Sequence, residues 1–411
     1  MTGSLDGQLE DNLDAGTDTK KGPVRMPHFH SSNRESPMRI ALLLESDGPG
    51  GAEKMVFHLA KGLLSRGHTV LPVGPERGVG WLGDLFRTEL HLEPASFRLR
   101  RVLDPVCVAD LMNMFRKESV DIVHSHEFAM GSYGTVAARL SGLPSMITLH
   151  SAGAFLNSGR TRTAMRWSIR AADVVTTISD ATRDTITTGL RLRDGGLQTI
   201  PNGVPIPEGD GSLIRSELGI DEAVSLVLAV GNLYSVKGHD ILIRALTLVA
   251  QRRPDLPWVA VIAGRGGEHA SLLALSESLG LSERVKFLGV RSDVGALLNG
   301  ADIFVQPSRS EGMPLSVIEA MRAGLPVIAS DVGGLREMIA SGVDGELVPA
   351  EDAQELASRL ERLLGHPRER ARLGSAAKVS SGDRFGLDSM VDRYLHLYRS
   401  ISGLRENHSF P

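Results

Sequence analysis

Glu311 and Glu319 stand eight residues apart in SRSEGMPLSVIEAMRAG, residues 308–324, and Gly-Met-Pro-Leu begins directly after the first. Pro314 suits the first turn of a helix, where its missing N–H is not needed. At about 100° per residue, Val317, Ile318 and Met321 share one face and Glu319 lies roughly opposite. Glu311 falls in the loop beside the helix start, whose first turn exposes free backbone N–H groups. Two carboxylates accept hydroxyl protons, and a helix start favours an anion. Together they suit a ligand that carries both hydroxyls and phosphate. The alternative for Glu319 is a solvated acid paired with Arg322 at i+3.

A second group lies in AVGNLYSVKGHDILIRAL, residues 229–246, where a strand runs out and Lys237-Gly238 opens a helix. A lysine beside a helix N-terminus can hold a diphosphate. The order Lys-Gly excludes the P-loop, which needs Gly-Lys-Ser/Thr. In SDGPGGAEKM, residues 46–55, Gly50 and Gly51 allow backbone to approach a ligand closely. Glu53 occupies the third glycine position of the dinucleotide fingerprint, so that motif is absent. Gly333-Gly334 sits at the corresponding place in the second half.

His124 and His126 alternate on one strand and face one side, as metal ligands would. With no third ligand or cysteine cluster beside them, no metal site is expected. His150 ends the run PSMITLH, where substrate contact is a better reading than core packing. The chain contains no Asp-x-Asp, the pairing that commonly holds a divalent ion on a diphosphate. Lys237 and helix N-termini are expected to carry that charge, with no cofactor.

The elements that must position these groups alternate. From Met38 onward the runs MRIALLLES, HTVLPVG, VDIVHSH, PSMITLH, DVVTTIS and LQTIPNG are apolar almost throughout, as strands covered on both faces should be. Amphipathic stretches such as AEKMVFHLAKGLLSRG separate them. PNGVPIPEGDGSL, residues 201–213, breaks the rhythm and reads as a linker. A second series follows: SLVLAVG, WVAVIAG, RVKFLGV, ADIFVQPS, LPVIAS and GELVPA. This pattern predicts an α/β chain with two Rossmann-like, doubly wound parallel-sheet domains facing a cleft. The expected division is a tail over 1–36 without fixed structure, a first domain over 37–204 and a second over 205–384. A C-terminal helix over 385–411 is expected to pack back on the first domain.

Composition narrows the classes. Aromatic residues make up 4% of 411 residues and the formal charge is −4, which argues against a nucleic-acid binder. Cys107 is the only cysteine, so no intrachain disulfide forms and a reducing compartment is expected. No apolar run approaches a bilayer span and the first residues lack signal-peptide order, so a cytoplasmic protein is expected.

Across about residues 38–405 the motifs together resemble the retaining, GT-B-fold glycosyltransferases of family 4. The resemblance rests on GNLYSVKG, AGRGGE, VKFLG, ADIFVQPSRSEGMPLSVIEAMRAGLPVIASDVGG and DGELVP, in family order, with the Glu-x7-Glu element intact at Glu311 and Glu319. It implies a second domain that binds a nucleotide-sugar and a first that binds the acceptor. Glu319 would take the ribose hydroxyls and Glu311 the transferred sugar. Gly312, Met313, Pro314 and Leu315 would approach sugar and diphosphate through their backbone, with Lys237 also on the diphosphate. Gly51 would approach the diphosphate from the first domain, and Val290 lies in the stretch that decides the base. His150 would sit beside the reacting sugar, with Gly50 and His126 expected at the acceptor.

The family mechanism is attack on the face the leaving group departs from, with the leaving phosphate taking the acceptor proton; Glu311 positions the sugar and is no nucleophile. Two departures stand out. Asn232 replaces the arginine of many members, a loss that Arg265 would make good, and Pro205 replaces an aspartate in PNGVP. Rival readings are a nucleotide-sugar epimerase or hydrolase on the same fold, and a non-catalytic carbohydrate-binding protein.

Arg162, Arg166 and Arg170 form one helical stripe beside Trp167, and RLRR at 98–101 adds a second basic spot. Such a surface suits anionic lipid and a lipid-linked acceptor. An ordinary solvated helix face is the alternative.

Overall fold

A computed structural model describes residues 36–76, 80–100, 104–151, 153–193 and 196–406. The tail expected over 1–36 and Arg101 of the second basic spot therefore lie outside the described residues, Ser36 excepted. The chain divides into Met1–Ser36 and a unit spanning Pro37–Pro411, which carries both sheets.

In chain order the first half runs β1 (Arg39–Leu43), α1 (Gly51–Ser65), β2 (Thr69–Pro75), α2 (Trp81–Leu90), β3 (Ala95–Phe97), α3 (Pro105–Lys117) and β4 (Ile122–His126). It continues with α4 (Phe128–Leu140), β5 (Ser145–Leu149), α5 (Gly159–Ala171), β6 (Val174–Thr177), α6 (Asp180–Leu190) and β7 (Gln198–Thr199). All pairings are parallel and the spatial order is β3-β2-β1-β4-β5-β6-β7. β4 and β5 are buried at every position, as the uninterrupted apolar runs require once helices cover both faces. The short β3 has no counterpart among the sequence runs. It is three residues long at the sheet edge, too brief to leave a pattern.

The second half runs α7 (Gly211–Leu218), β8 (Ser225–Val230), α8 (His239–Arg252), β9 (Trp258–Ala263), α9 (His269–Ser278), β10 (Val285–Gly289), α10 (Val294–Gly300) and β11 (Ile303–Gln306). Then come α11 (Leu315–Ala323), β12 (Val327–Ser330), α12 (Leu335–Met338), β13 (Glu346–Val348), α13 (Ala353–Gly365), α14 (Pro367–Arg384) and α15 (Leu387–Glu406). This sheet is also parallel, in the order β10-β9-β8-β11-β12-β13. In each sheet the winding reverses once, at β1/β4 and at β8/β11. Ligands of doubly wound sheets bind beyond the strand ends at that reversal. The segments singled out from the sequence lie beyond those ends.

The chain crosses between halves twice, side by side. Val204 and Gly386 form a parallel bridge, with Val204 N–H donating to Phe385 O at 3.0 Å and Leu387 N–H to Val204 O at 3.2 Å. A Cβ at Gly203 would lie 2.6 Å from Gly386 O, so the two crossing segments need glycine there. After the return crossing, α15 packs on the first half. A Cβ at Gly62 of α1 would meet Val391 Cγ2 at 2.4 Å, and Arg66 reaches Asp388 and Asp392 at 3.0 Å. Tyr394 and Tyr398 are buried beneath it.

Candidate active site

Glu311 is held by three donors. Its Oε1 accepts from Ser308 Oγ at 2.6 Å, Lys237 Nζ at 2.7 Å and Gln306 Nε2 at 2.9 Å; Lys237 also reaches Oε2 at 3.0 Å. The folding reason is local. β11 ends at Gln306, so Gln306 and Ser308 project beside the loop that carries the acid. Lys237 ends a single 3₁₀ turn after β8, and Gly238 follows in the left-handed region at φ 66°. A Cβ on Gly238 would lie 2.0 Å from Pro307 O, so the lysine turn and the acid loop are pressed together. An acid in such a cage keeps one orientation and stays ready to accept hydroxyl protons.

The same loop is sandwiched from both sides. A Cβ on Gly333, at φ 47°, would lie 2.0 Å from Glu311 O, and one on Gly334 would lie 1.7 Å from Gly312 O. A Cβ on Gly312 would meet His150 O of the first half at 3.0 Å. Gly333-Gly334 therefore serves to let α12 close on the loop. Pro314 is the residue before α11, one position earlier than expected, with Leu315 the first helical residue.

Glu319 is 8% exposed and pairs across the cleft with Lys54 of α1 at 2.5 Å. Arg322 donates instead to Gly382 O at 3.2 Å. The Glu319–Arg322 surface pair is thus overturned: Glu319 turns inward, and the cation that meets it comes from the other half of the chain.

Asn232, Arg265 and Val290 follow the ends of β8, β9 and β10. A Cβ on Gly264 would lie 1.9 Å from Gly231 O, which brings the Asn232 and Arg265 loops together. Every residue expected to hold the donor, from Gly51 through Glu319, lines one cleft of about 870 Å³, and so do Gly50 and His150. The wall from the first half adds Phe57, Trp81 and Leu85. Among the described residues no group of three or more His, Cys, Asp or Glu could hold a metal ion.

His126 corrects the reading from sequence. It is fully buried and absent from the cleft wall, so it makes no acceptor contact; its Nδ1 lies 3.0 Å from Nε2 of His150. Alternation on β4 points both His124 and His126 the same way, but toward α15 and β5 rather than outward. His124 joins Tyr398 Oη at 2.6 Å through Nδ1 and Thr148 Oγ1 at 2.7 Å through Nε2. Burial holds these imidazoles neutral: His150 falls to about 4, His124 to about 3, and His126 lies well below the usual range.

Lys54, Gln306 and Ser308 escaped the sequence reading. Gln306 and Ser308 flank Glu311 in the motif itself and were legible as its polar neighbours. Nothing local to Lys54 points to Glu319, which lies far along the chain. The basic helix α5 is outside the cleft. It holds four arginines and no acid, with Arg162, Arg170 and Trp167 exposed while Arg166 bonds Leu190 O. Arg98 and Arg100 of the second basic spot face Glu76, Asp104 and Asp110, which cancel much of their charge.

Two doubly wound parallel sheets with caged carboxylates and lysines on one cleft define a two-Rossmann-domain architecture with a ligand site, and comparison with known proteins gives it a family. Residues 49–207 match Glycosyltransferase Family 4 and residues 211–380 match Glycosyl transferases group 1. A D-inositol 3-phosphate glycosyltransferase of Nocardiopsis dassonvillei is 30% identical over 85% of this chain and 83% of its own length. One from Mycobacterium sp. (strain KMS) is 32% identical over 70% and 68%. Anabaena HepE, solved with UDP-glucose, superposes with a TM-score of 0.77 at 26% identity, over 88% of this chain and all of that one. Sucrose-phosphate synthase of Thermosynechococcus elongatus shares the fold at a TM-score of 0.73 and 22% identity. The chain belongs to the glycosyl transferases group 1 family and is a GT-B-fold glycosyltransferase.

Proposed function

We propose that this glycosyltransferase moves a hexose-type sugar from a nucleotide-sugar to a hydroxyl acceptor with retention of anomeric configuration, in polysaccharide, glycolipid or cell-envelope glycan assembly. The observation that carries the reading is the pair of inward-facing acids, Glu311 in its three-donor cage and Glu319 against Lys54, on one cleft. In this reading ribose hydroxyls displace Lys54 at Glu319 and the sugar lies over Glu311. Breaking the anomeric C–O bond develops negative charge on the diphosphate, which Lys237, Arg265 and loop N–H groups stabilise. No carboxylate-held metal is assigned to this step. UDP-sugars lead the candidates because HepE, similar over its whole length, was solved with UDP-glucose. The relatives named for D-inositol 3-phosphate make that compound the first acceptor to try.

A thermal-shift panel of UDP-, GDP-, ADP- and dTDP-sugars on the wild type and Glu319→Ala tests the donor site. One nucleotide-sugar should stabilise the wild type and lose most of that effect in the variant; no stabilisation by any of them would count against the reading. Nucleotide release that requires an acceptor separates transfer from hydrolysis or epimerisation.

The localisation proposed is cytoplasmic with peripheral contact at an anionic membrane, through α5. Among the described residues no helix is long and apolar enough to cross a membrane. Exposed Arg162 and Arg170 beside Trp167, which is 48% exposed, suit lipid headgroups and their interface. Pelleting with vesicles that contain anionic lipid should fall with salt and with Arg162→Glu/Arg170→Glu. Pelleting that ignores salt, or none at all, would remove the proposal.

A further inference from the structure

His126 has no place at the acceptor, yet it is a buried polar group bonded to His150 of the cleft wall. Its two nitrogens differ. Nδ1 meets His150 Nε2 at 3.0 Å, while Nε2 is sealed from solvent and has no hydrogen-bond partner. Its ring lies tilted by 38° against His124 at 4.1 Å between centroids, and His124 is pinned at both nitrogens by Tyr398 and Thr148. Thr148 is itself tied to Thr176 at 2.7 Å and to Tyr394 at 3.3 Å. Two buried polar groups, Tyr398–His124–Thr148 and His126–His150, thus meet through the His124–His126 ring contact between α15 and the cleft.

A neutral imidazole carries one N–H and one bare nitrogen. If His126 held its proton on Nε2, that N–H would be buried with nothing to accept it. If the proton is on Nδ1, the sealed atom is only an unused lone pair. Orphaned buried donors are rarer in folded proteins than under-used acceptors. The second arrangement makes His126 Nδ1–H the donor to His150 Nε2, so the proton of His150 must sit on Nδ1. Among the described residues no hydrogen bond is recorded to that nitrogen and it is not among the sealed atoms, and His150 lines the cleft.

The geometry points to His126 as the positioning residue that locks His150 as the Nδ1–H tautomer, a neutral hydrogen-bond donor toward an oxygen of the bound sugar or its leaving phosphate. The part that concerns sugar and phosphate rests on the proposed function; the tautomer does not. His124, with Tyr398 and Thr148, keeps the His126 ring from turning. No proton leaves either ring in this role. The donor is fixed before substrate arrives, which is how preorganised polar groups contribute to rate.

The test has two arms on the full chain labelled with [15N]histidine. Long-range 1H–15N correlation spectra report which ring nitrogen is bare, and the His150→Gln spectrum identifies the His150 signals by their loss. The expected pattern is His150 protonated at Nδ1 without any ligand; protonation at Nε2 overturns the inference. This arm reads the same whether or not a nucleotide-sugar binds, so its failure and that of the proposed function are distinguishable.

The second arm compares His126 variants in steady-state transfer. His126→Phe keeps a ring against His124 but offers no donor, and kcat should fall about 10- to 100-fold with donor KM little changed. His126→Asn places an amide where Nδ1 stood and should keep most of the rate. His126→Asp supplies only an acceptor, so His150 should turn to the Nε2–H form in the spectrum, and kcat should fall with it. Equal loss in Asn and Phe, or an unmoved tautomer in Asp, would show that His126 only fills space.

Discussion

Lys237 and Glu311 form an ion pair before any ligand arrives, with the lysine side chain 23% exposed and the acid almost enclosed. A pair this close to the surface on one side contributes little to stability in water, about 1 kcal/mol or less. Its value is placement. The lysine is held where a diphosphate would lie, and the acid is left with defined acceptors for sugar hydroxyls. Lys237→Ala should therefore lower kcat by about 10²–10³-fold, the usual cost of losing one preorganised contact to developing charge. Thermal stability should change little, which a melt run beside the kinetics would check. The position of both residues on the cleft was legible because type and spacing sufficed: a lysine just before a helix, an acid in the loop after a strand. Lys54 was not legible, since only folding sets it against Glu319.

Loops and short helices determine whether those residues meet. Gly312, Gly333 and Gly334 let the β11–α11 loop lie between α12 and the backbone of His150. A Cβ at Gly334 would sit 1.7 Å from Gly312 O, with backbone on the receiving side, so no rotamer can relieve it. Gly334→Ala should displace the loop. An activity loss of about 100-fold is expected, because small misplacements near reacting groups cost that much. Donor affinity measured by titration should weaken in parallel, while far-ultraviolet circular dichroism remains that of the wild type. The paired glycines were visible in the sequence, but their purpose was not. Carbonyl approach from two directions is a property of packed elements and leaves no mark on local spacing.

At the scale of the molecule, several histidines are buried in neutral form, and this makes stability depend on pH. His58 falls to about 3 through burial, then Lys54 and Lys61; His239 falls to about 4 through burial, then Lys237. His124 and His150 are lowered as well. Each binds a proton more readily unfolded than folded. The stability they allow is present above the unfolded value near 6.5 and is lost as pH falls toward the folded values. The slope approaches about 1.4 kcal/mol per pH unit for each fully participating group. Glu127 works the other way: burial and Glu45 raise it to about 8, so its share declines as pH rises from the ordinary carboxylate range. The melting temperature should drop between pH 7 and 5. Both nitrogens of His58 are sealed without partners, so His58→Leu should raise stability, most of all near pH 5. A variant with an unchanged pH slope would show that His58 is not among the groups responsible.

The sequence by itself determined the alternation of apolar runs and amphipathic helices, hence two doubly wound sheets, and the residues beyond their strand ends that line the cleft. These follow from local chemistry: strands covered on both faces are apolar throughout, and glycines, lysines and acids at strand ends are conspicuous against them. Tertiary structure alone decided that Glu319 meets Lys54 rather than Arg322, and that His126 lies behind His150 instead of in the cleft. It also decided that α15 brings Tyr394 and Tyr398 under the first sheet to pin His124. Each is a contact between segments far apart in the chain, and period-two alternation gives a side chain's face without saying what covers that face. On β4 the covering element was a helix from the far end of the chain, which no spacing within the strand could announce.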